Sequence, residues 1–128
     1  MTKQDLPKPT EAELELLAAL WGKGEATVRE LFDGLSQNRP RGYTSVLKTL
    51  QIMTEKGLVE RTEQGKAHLY RAAASQSDTQ SQLLRDLTTR LFAGSAAQLA
   101  MHALSMETVD ADELSEIRKL IDSKRPKP

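Results

Sequence analysis

Thr44, Ser45, Lys48, Thr49 and Gln51 share one face of a helix-forming stretch, with Arg41 just before it and Arg61 and Lys66 shortly after. Hydroxyls and an amide both donate and accept hydrogen bonds, lysine carries a mobile point charge, and arginine presents a fork of fixed donors. Such a set recognises an anionic, hydrogen-bonding surface: cations meet phosphates, and short polar side chains reach base edges if the helix lies in a major groove. Tyr43, at the head of the stretch, can pack as a helix-start hydrophobe or donate its hydroxyl to a phosphate.

Other chemistries find little footing. The two histidines, His68 and His102, have no partner at metal-ligand spacing, and two histidines offer little acid–base machinery. There is no Gly-x-Ser-x-Gly elbow and no Walker-type phosphate loop. The absence of cysteine removes thiolate metal sites, redox motifs and disulfides together. Neither a catalytic residue, a metal site nor a cofactor is expected, and the chain is not read as an enzyme.

The polar face needs a scaffold. Val46, Leu47, Leu50 and Met53 recur at helical spacing on the opposite side, which predicts a helix over residues 43–56 with its apolar stripe on a core. Gly57 suits the left-handed cap that ends such a helix. Two strand-like runs follow, residues 58–61 and 67–71, separated by a turn over residues 62–66 with Gly65 near its centre, which reads as a hairpin with a basic tip. Upstream, Thr10 with Glu13 and Thr27 with Glu30 are capping boxes. They predict a first helix over residues 11–21, burying Leu14, Leu17, Ala18 and Trp21, and a second over 28–35, burying Val28, Leu31, Phe32 and Leu35. The link between the second and third helices, residues 36–42, turns basic at its end.

Three short helices and a hairpin over residues 9–74 close one core as a winged helix-turn-helix, with the second and third helices as the pair. Eighteen basic residues balance eighteen acidic ones over the chain, so the total says nothing about nucleic acid. The distribution is informative. Residues 9–37 carry a net −4 and residues 38–71 a net +4, an asymmetry that steers a polyanion to one surface.

Beyond residue 74 the texture becomes leucine-rich. Leu83, Leu84, Leu87, Leu91 and Phe92 mark a fourth helix ending near Gly94. A fifth spans residues 96–105 behind a Ser95–Gln98 capping box, and a sixth 111–123 behind Asp110; residues 124–128 are expected to fray. About fifty residues seldom make a stable core alone. Residues 75–128 are therefore read as a dimerisation domain, with Leu84, Leu87, Leu91, Leu99, Leu114, Ile117 and Ile121 at the interface. The fold class is mainly α with a small β-hairpin wing, a winged helix-turn-helix over residues 1–74 followed by that helical domain. The N-terminal residues lack the apolar run of a signal peptide and no stretch approaches a membrane span, so no membrane insertion and a cytoplasmic location are expected.

Residues 14–21, 41–50, 55–59 and 65–70, together with 91–95 and 113–117, resemble the penicillinase repressor family, BlaI/MecI/CopY, over nearly the whole chain. The resemblance implies an N-terminal winged helix, a C-terminal dimerisation domain and repression through dyad-symmetric double-stranded operator DNA. It further implies a membrane sensor protease as partner. Copper-responsive members use C-terminal cysteines, which this chain lacks. β-Lactam-responsive members are cleaved at an Asn-Phe bond; the matching position here reads His102-Ala103. The leading reading is a homodimeric repressor whose DNA-binding residues are Arg41, Tyr43, Thr44, Ser45, Lys48, Thr49, Arg61 and Lys66. The alternative is a winged-helix protein-interaction module without DNA binding.

Overall fold

Local capping fixes where the helices begin. In the computed structural model, which describes residues 8–37 and 41–126, the order is α1 (Glu11–Lys23), α2 (Val28–Ser36), α3 (Tyr43–Lys56), β1 (Val59–Gln64), β2 (Ala67–Ala72), α4 (Gln76–Leu91), α5 (Ala96–Met106) and α6 (Ala111–Ser123). Expectations for the N-terminal segment, for Asn38, Arg39 and Pro40 of the link, and for the last two residues fall outside the described residues. Both threonine boxes form. The Thr10 amide donates to Glu13 Oε1 at 2.9 Å and the Glu13 amide to Thr10 Oγ1 at 3.2 Å; Thr27 and Glu30 repeat the exchange at 2.8 and 3.2 Å. Ser95 gives only half of its expected box, accepting from the Gln98 amide at 3.1 Å. Asp110 caps α6 through the Glu113 amide at 2.8 Å.

Two compact units divide inside α4, one up to Leu84 and one from Arg85. In the first, Leu16, Leu17 and Leu20 of α1 meet Val28 and Leu31 of α2, Val46, Leu50 and Met53 of α3, and Leu58, Val59 and Tyr70 of the hairpin region, all buried. Burying each such aliphatic side chain contributes about 1.5–3 kcal/mol. The stripe on α1 differs from the expected one: Leu14 and Trp21 are only partly buried and Ala18 is exposed. The inward set is Glu13, Leu16, Leu17 and Leu20, which also has i, i+3, i+4, i+7 spacing. An apolar pattern search misses it because its first member is a carboxylate, brought inside by an ion pair described below.

At the end of α3, Gly57 takes φ 82° and ψ 15°. Its amide donates to Thr54 O at 3.2 Å and that of Leu58 to Met53 O at 2.9 Å, the paired bonds of a Schellman cap with Met53 and Leu58 buried beneath. The hairpin is longer and its turn tighter than expected. Pairing runs from Val59 with Ala72 to Gln64 with Ala67, leaving Gly65 and Lys66 as a two-residue turn, and φ 63° at Gly65 suits the first central position of a primed turn. Residues 62–64 are all exposed, so no apolar alternation announced them as strand. Ala26 adds an isolated antiparallel bridge to β2: its amide donates to Tyr70 O at 3.0 Å and Tyr70's to Ala26 O at 2.8 Å. Trp21 donates its indole N–H to Ala74 O at 3.0 Å, tying the chain after β2 to α1.

α4 begins earlier than the leucine pattern suggested, because Ser75 Oγ accepts from the Asp78 amide at 3.0 Å and turns the polar run into a first helical turn, with Thr79 buried. In the second unit, α5 and α6 contain no buried residue. Leu87, Leu91, Met101, Met106, Leu114, Leu120 and Ile121 are all exposed. No described helix is long and apolar enough to cross a membrane.

Candidate nucleic-acid interface

The third helix segregates its side chains as expected: Val46, Leu50 and Met53 are buried and Leu47 packs partly against them, while Thr44, Ser45, Lys48 and Gln51 are exposed. Thr49 is half-buried and donates its hydroxyl back to Ser45 O at 2.9 Å, leaving its oxygen lone pairs as acceptors. Gly42 stands at the N-cap with no side-chain cap, and the first turn carries no acidic residue. The opening amides of α3 therefore keep their positive end toward solvent.

Both ends of α3 are tied to α1 by ion pairs. At the far end, Lys56 Nζ lies 2.8 and 3.0 Å from the two Glu13 carboxylate oxygens, with the Glu13 side chain 4% and that of Lys56 32% exposed. Burial pushes the Glu13 carboxyl upward, but the bonds from Lys56 and Thr10 outweigh it and hold the group below the usual glutamate range. At the near end, Arg41 Nη1 lies 3.1 Å from Glu15 Oε1, its side chain only 16% exposed. Arg41 Nε is buried without a hydrogen-bond partner among the described residues. The arginine expected to meet a phosphate is thus turned toward α1.

Tyr43 packs against α2. Its ring meets that of Phe32 edge-on at 5.5 Å and 68°, and the Arg29 guanidinium carbon sits 5.2 Å from the Tyr43 centroid and 5.7 Å from that of Phe32. In the hairpin, residues 60–68 are exposed on both strands and the turn. Arg71 is paired with Glu60 at 3.0 Å, and His68 Nε2 stands 3.9 Å from Glu63. Among the described residues, no ion pair holds Lys48, Arg61 or Lys66. The structure therefore groups Thr44, Ser45, Lys48 and Thr49 on one helix face and puts Arg61 and Lys66 on the wing. Arg29 is the residue sequence reasoning missed. It belongs to the acidic half of the unit, and its ring partner Tyr43 is fourteen positions away, visible only to an analysis that packs α2 against α3.

His102 lies on α5 with its ring 5.9 Å from that of Phe92. Among the described residues no cluster of three or more His, Asp or Glu side chains could hold a metal ion.

A model of the penicillinase repressor family matches residues 9–123. Among curated proteins, the transcriptional regulator BlaI of Mycobacterium tuberculosis is 28% identical over 112 residues, 87% of this chain and 80% of that protein. The methicillin resistance regulatory protein MecI of Staphylococcus epidermidis is 18% identical over 115 residues, 90% and 94% of the two chains. Among solved structures, the DNA-binding domain of the repressor BlaI aligns with TM-score 0.53 and 21% identity, over 59% of this chain and 93% of that one. A mutant of Escherichia coli MarR complexed with operator DNA aligns with TM-score 0.51 and 20% identity, over 92% and 76%. These likenesses show the winged-helix fold.

Proposed function

The chain belongs to the penicillinase repressor family, and on that premise we propose that it is a homodimeric transcriptional repressor that binds dyad-symmetric operator DNA through α3 and the basic wing. One observation carries the reading: the face of α3 opposite its buried stripe exposes Thr44, Ser45 and Lys48, and the wing exposes Arg61 and Lys66, cations that no ion pair holds among the described residues. Thr44, Ser45, Lys48 and Thr49 read base edges in the major groove, and Arg61 and Lys66 position the protein on the backbone. Tyr43 sets the pitch of α3 through Phe32 and offers its hydroxyl to the backbone. Arg41 reaches a phosphate only by leaving Glu15; in the unbound protein it holds the lead-in to α3 against α1.

Dimerisation falls to residues 75–128, through Leu84, Leu87, Leu91, Leu99, Leu114, Ile117 and Ile121. The exposure of most of these side chains, in a unit where α5 and α6 bury nothing, supports that reading. A two-fold dimer presents two copies of α3 to two half-sites, so operator and protein share their symmetry. Losing the dimer relieves repression, since each half-site alone is bound far more weakly. A membrane sensor protease is the partner for that step. The His102–Ala103 bond lies inside α5, so cleavage there requires a turn of helix to open first.

Binding of the purified chain to its own promoter duplex, against scrambled DNA across a salt series, tests the proposal. Dyad-dependent binding is expected, falling ~0.9 log units per phosphate contact for each tenfold rise in salt. Equal binding to both duplexes would overturn it, as would a protein partner that competes with little salt dependence.

A further inference from the structure

We infer that Arg29, on the first turn of α2, donates to a DNA backbone phosphate at the head of the recognition helix, where the sequence pointed instead to Arg41, which is paired with Glu15. The inference rests on the operator-binding reading and assigns a contact residue within it.

Geometry places the group. Tyr43 opens α3 just before Thr44 and Ser45, so a guanidinium 5.2 Å from its ring centroid lies at the same N-terminal end of α3 as those residues. The guanidinium carbon lies over both the Tyr43 and the Phe32 ring, a cation–π contact that narrows the rotamers of a side chain otherwise rich in them. Its N–H edge stays open to solvent: the Arg29 side chain is 67% exposed, and Asp33 forms only a long, exposed i,i+4 ion pair with Nη1 at 3.8 Å, beyond hydrogen-bond range, which a phosphate can displace. A preorganised fork with an open edge is what a phosphate oxygen takes. Nearby Glu30 is turned back onto Thr27, whose amide donates to it at 2.8 Å, so that carboxylate is engaged in capping α2. Arg41 has the opposite character, being covered and bonded to Glu15 at 3.1 Å.

Substitution of an exposed side chain leaves the fold intact, which a thermal melt followed by circular dichroism checks in the full-length Arg29→Ala and Arg29→Lys variants. Binding is measured on operator and scrambled duplexes of equal length. Loss of one phosphate contact makes the salt slope shallower by ~0.9, so the Arg29→Ala defect should shrink about 3.5-fold as salt rises from about 50 to about 200 mM. The same factor is expected on both duplexes, because phosphate contacts carry no sequence information. Arg29→Lys should keep the wild-type slope. An alanine variant parallel to wild type, a defect confined to the operator duplex, or a lysine variant with the alanine slope would each overturn the assignment. Wild-type protein that binds neither duplex in a salt-dependent way would instead sink the operator-binding reading itself.

Discussion

Replacing Lys56 by methionine should destabilise the winged-helix unit much more than replacing its partner Glu13 by glutamine, although both substitutions delete the same ion pair. The asymmetry follows from burial. Glu13 is 4% exposed and Lys56 32%. In Glu13→Gln the side-chain carbonyl still accepts from the Thr10 amide, and the lysine, already one-third in water, turns outward with its charge solvated. The loss is then one charge-assisted hydrogen bond, about 1–1.5 kcal/mol. In Lys56→Met the stem volume remains, but an ionised carboxylate is stranded in the core with only the Thr10 bonds. Removing one partner of a buried pair costs about 3–5 kcal/mol, and partial solvent access at the lysine end puts the expectation at the lower limit, about 3 kcal/mol. With a urea slope of about 1.5 kcal/mol per molar the midpoint falls by about 2 M.

The pH dependence makes the argument specific. The folded-state pKa of Glu13 is depressed, so its contribution is complete above the unfolded-state pKa and is lost as pH falls through the lower folded value. In Lys56→Met the uncompensated burial raises that pKa, so the variant gains relative stability as the carboxyl protonates. The gap between wild type and Lys56→Met should therefore narrow steadily from pH 7 to pH 4. Urea unfolding followed through Trp21, the single tryptophan, reports on this unit, since the indole is bonded to Ala74 beside the core. Equal losses for the two variants, or a gap that stays constant with pH, would refute the picture of a buried carboxylate held by its cation.

Three further outcomes are expected. Lys48→Ala should weaken binding to the operator more than to a scrambled duplex, as loss of a base-edge contact requires, with an unchanged urea midpoint, read by fluorescence anisotropy on labelled duplexes. The pair Leu87→Asp and Leu91→Asp, at exposed apolar positions, should give monomers by sedimentation velocity and drop operator affinity at least tenfold while leaving Trp21-detected unfolding of the winged helix in place. Gly57→Ala meets no atom within 4 Å but must adopt φ +82°, so backbone strain alone should cost about 1–2 kcal/mol in urea unfolding.

Features set by neighbours within one helical turn were legible in the sequence. The bounds of α3 and α6 match their expected residues, Gly57 caps as anticipated, and Thr10 and Thr27 start helices through bonds spanning three positions. What escaped depends on partners far along the chain. The register of α1 turns on Glu13 meeting Lys56, forty-three residues later, and the orientation of Arg41 turns on Glu15, twenty-six residues earlier. A carboxylate at a core position carries no sign of its cation. The hairpin extended past its apolar residues because backbone pairing, rather than side-chain alternation, holds Thr62, Glu63 and Gln64 in strand. For α4 the signal was present, in Ser75 followed by Asp78, but lay before the leucines that marked the helix.

The braces on α3 bear on how a reading head of this kind works. Glu13 and Glu15, two residues apart on α1, hold the last residue of α3 and the residue just before its N-cap. The wing is fixed to the same body through Ala26 and Tyr70, and the segment after it through Trp21 and Ala74. α1 contributes no side chain to the exposed polar face, yet it sets the direction of α3 and the height of the wing. A helix so held loses little conformational freedom on docking, which favours affinity without adding contacts. If α3 docks on the operator as proposed, substitutions at Glu13 or Glu15 act on recognition through position. On the proposed dimeric reading, control of such a rigid head is more effective through the number of heads joined together than through deformation of either one, and the regulatory burden then falls on the leucine-rich helices, whose exposed apolar side chains the Leu87→Asp and Leu91→Asp pair tests.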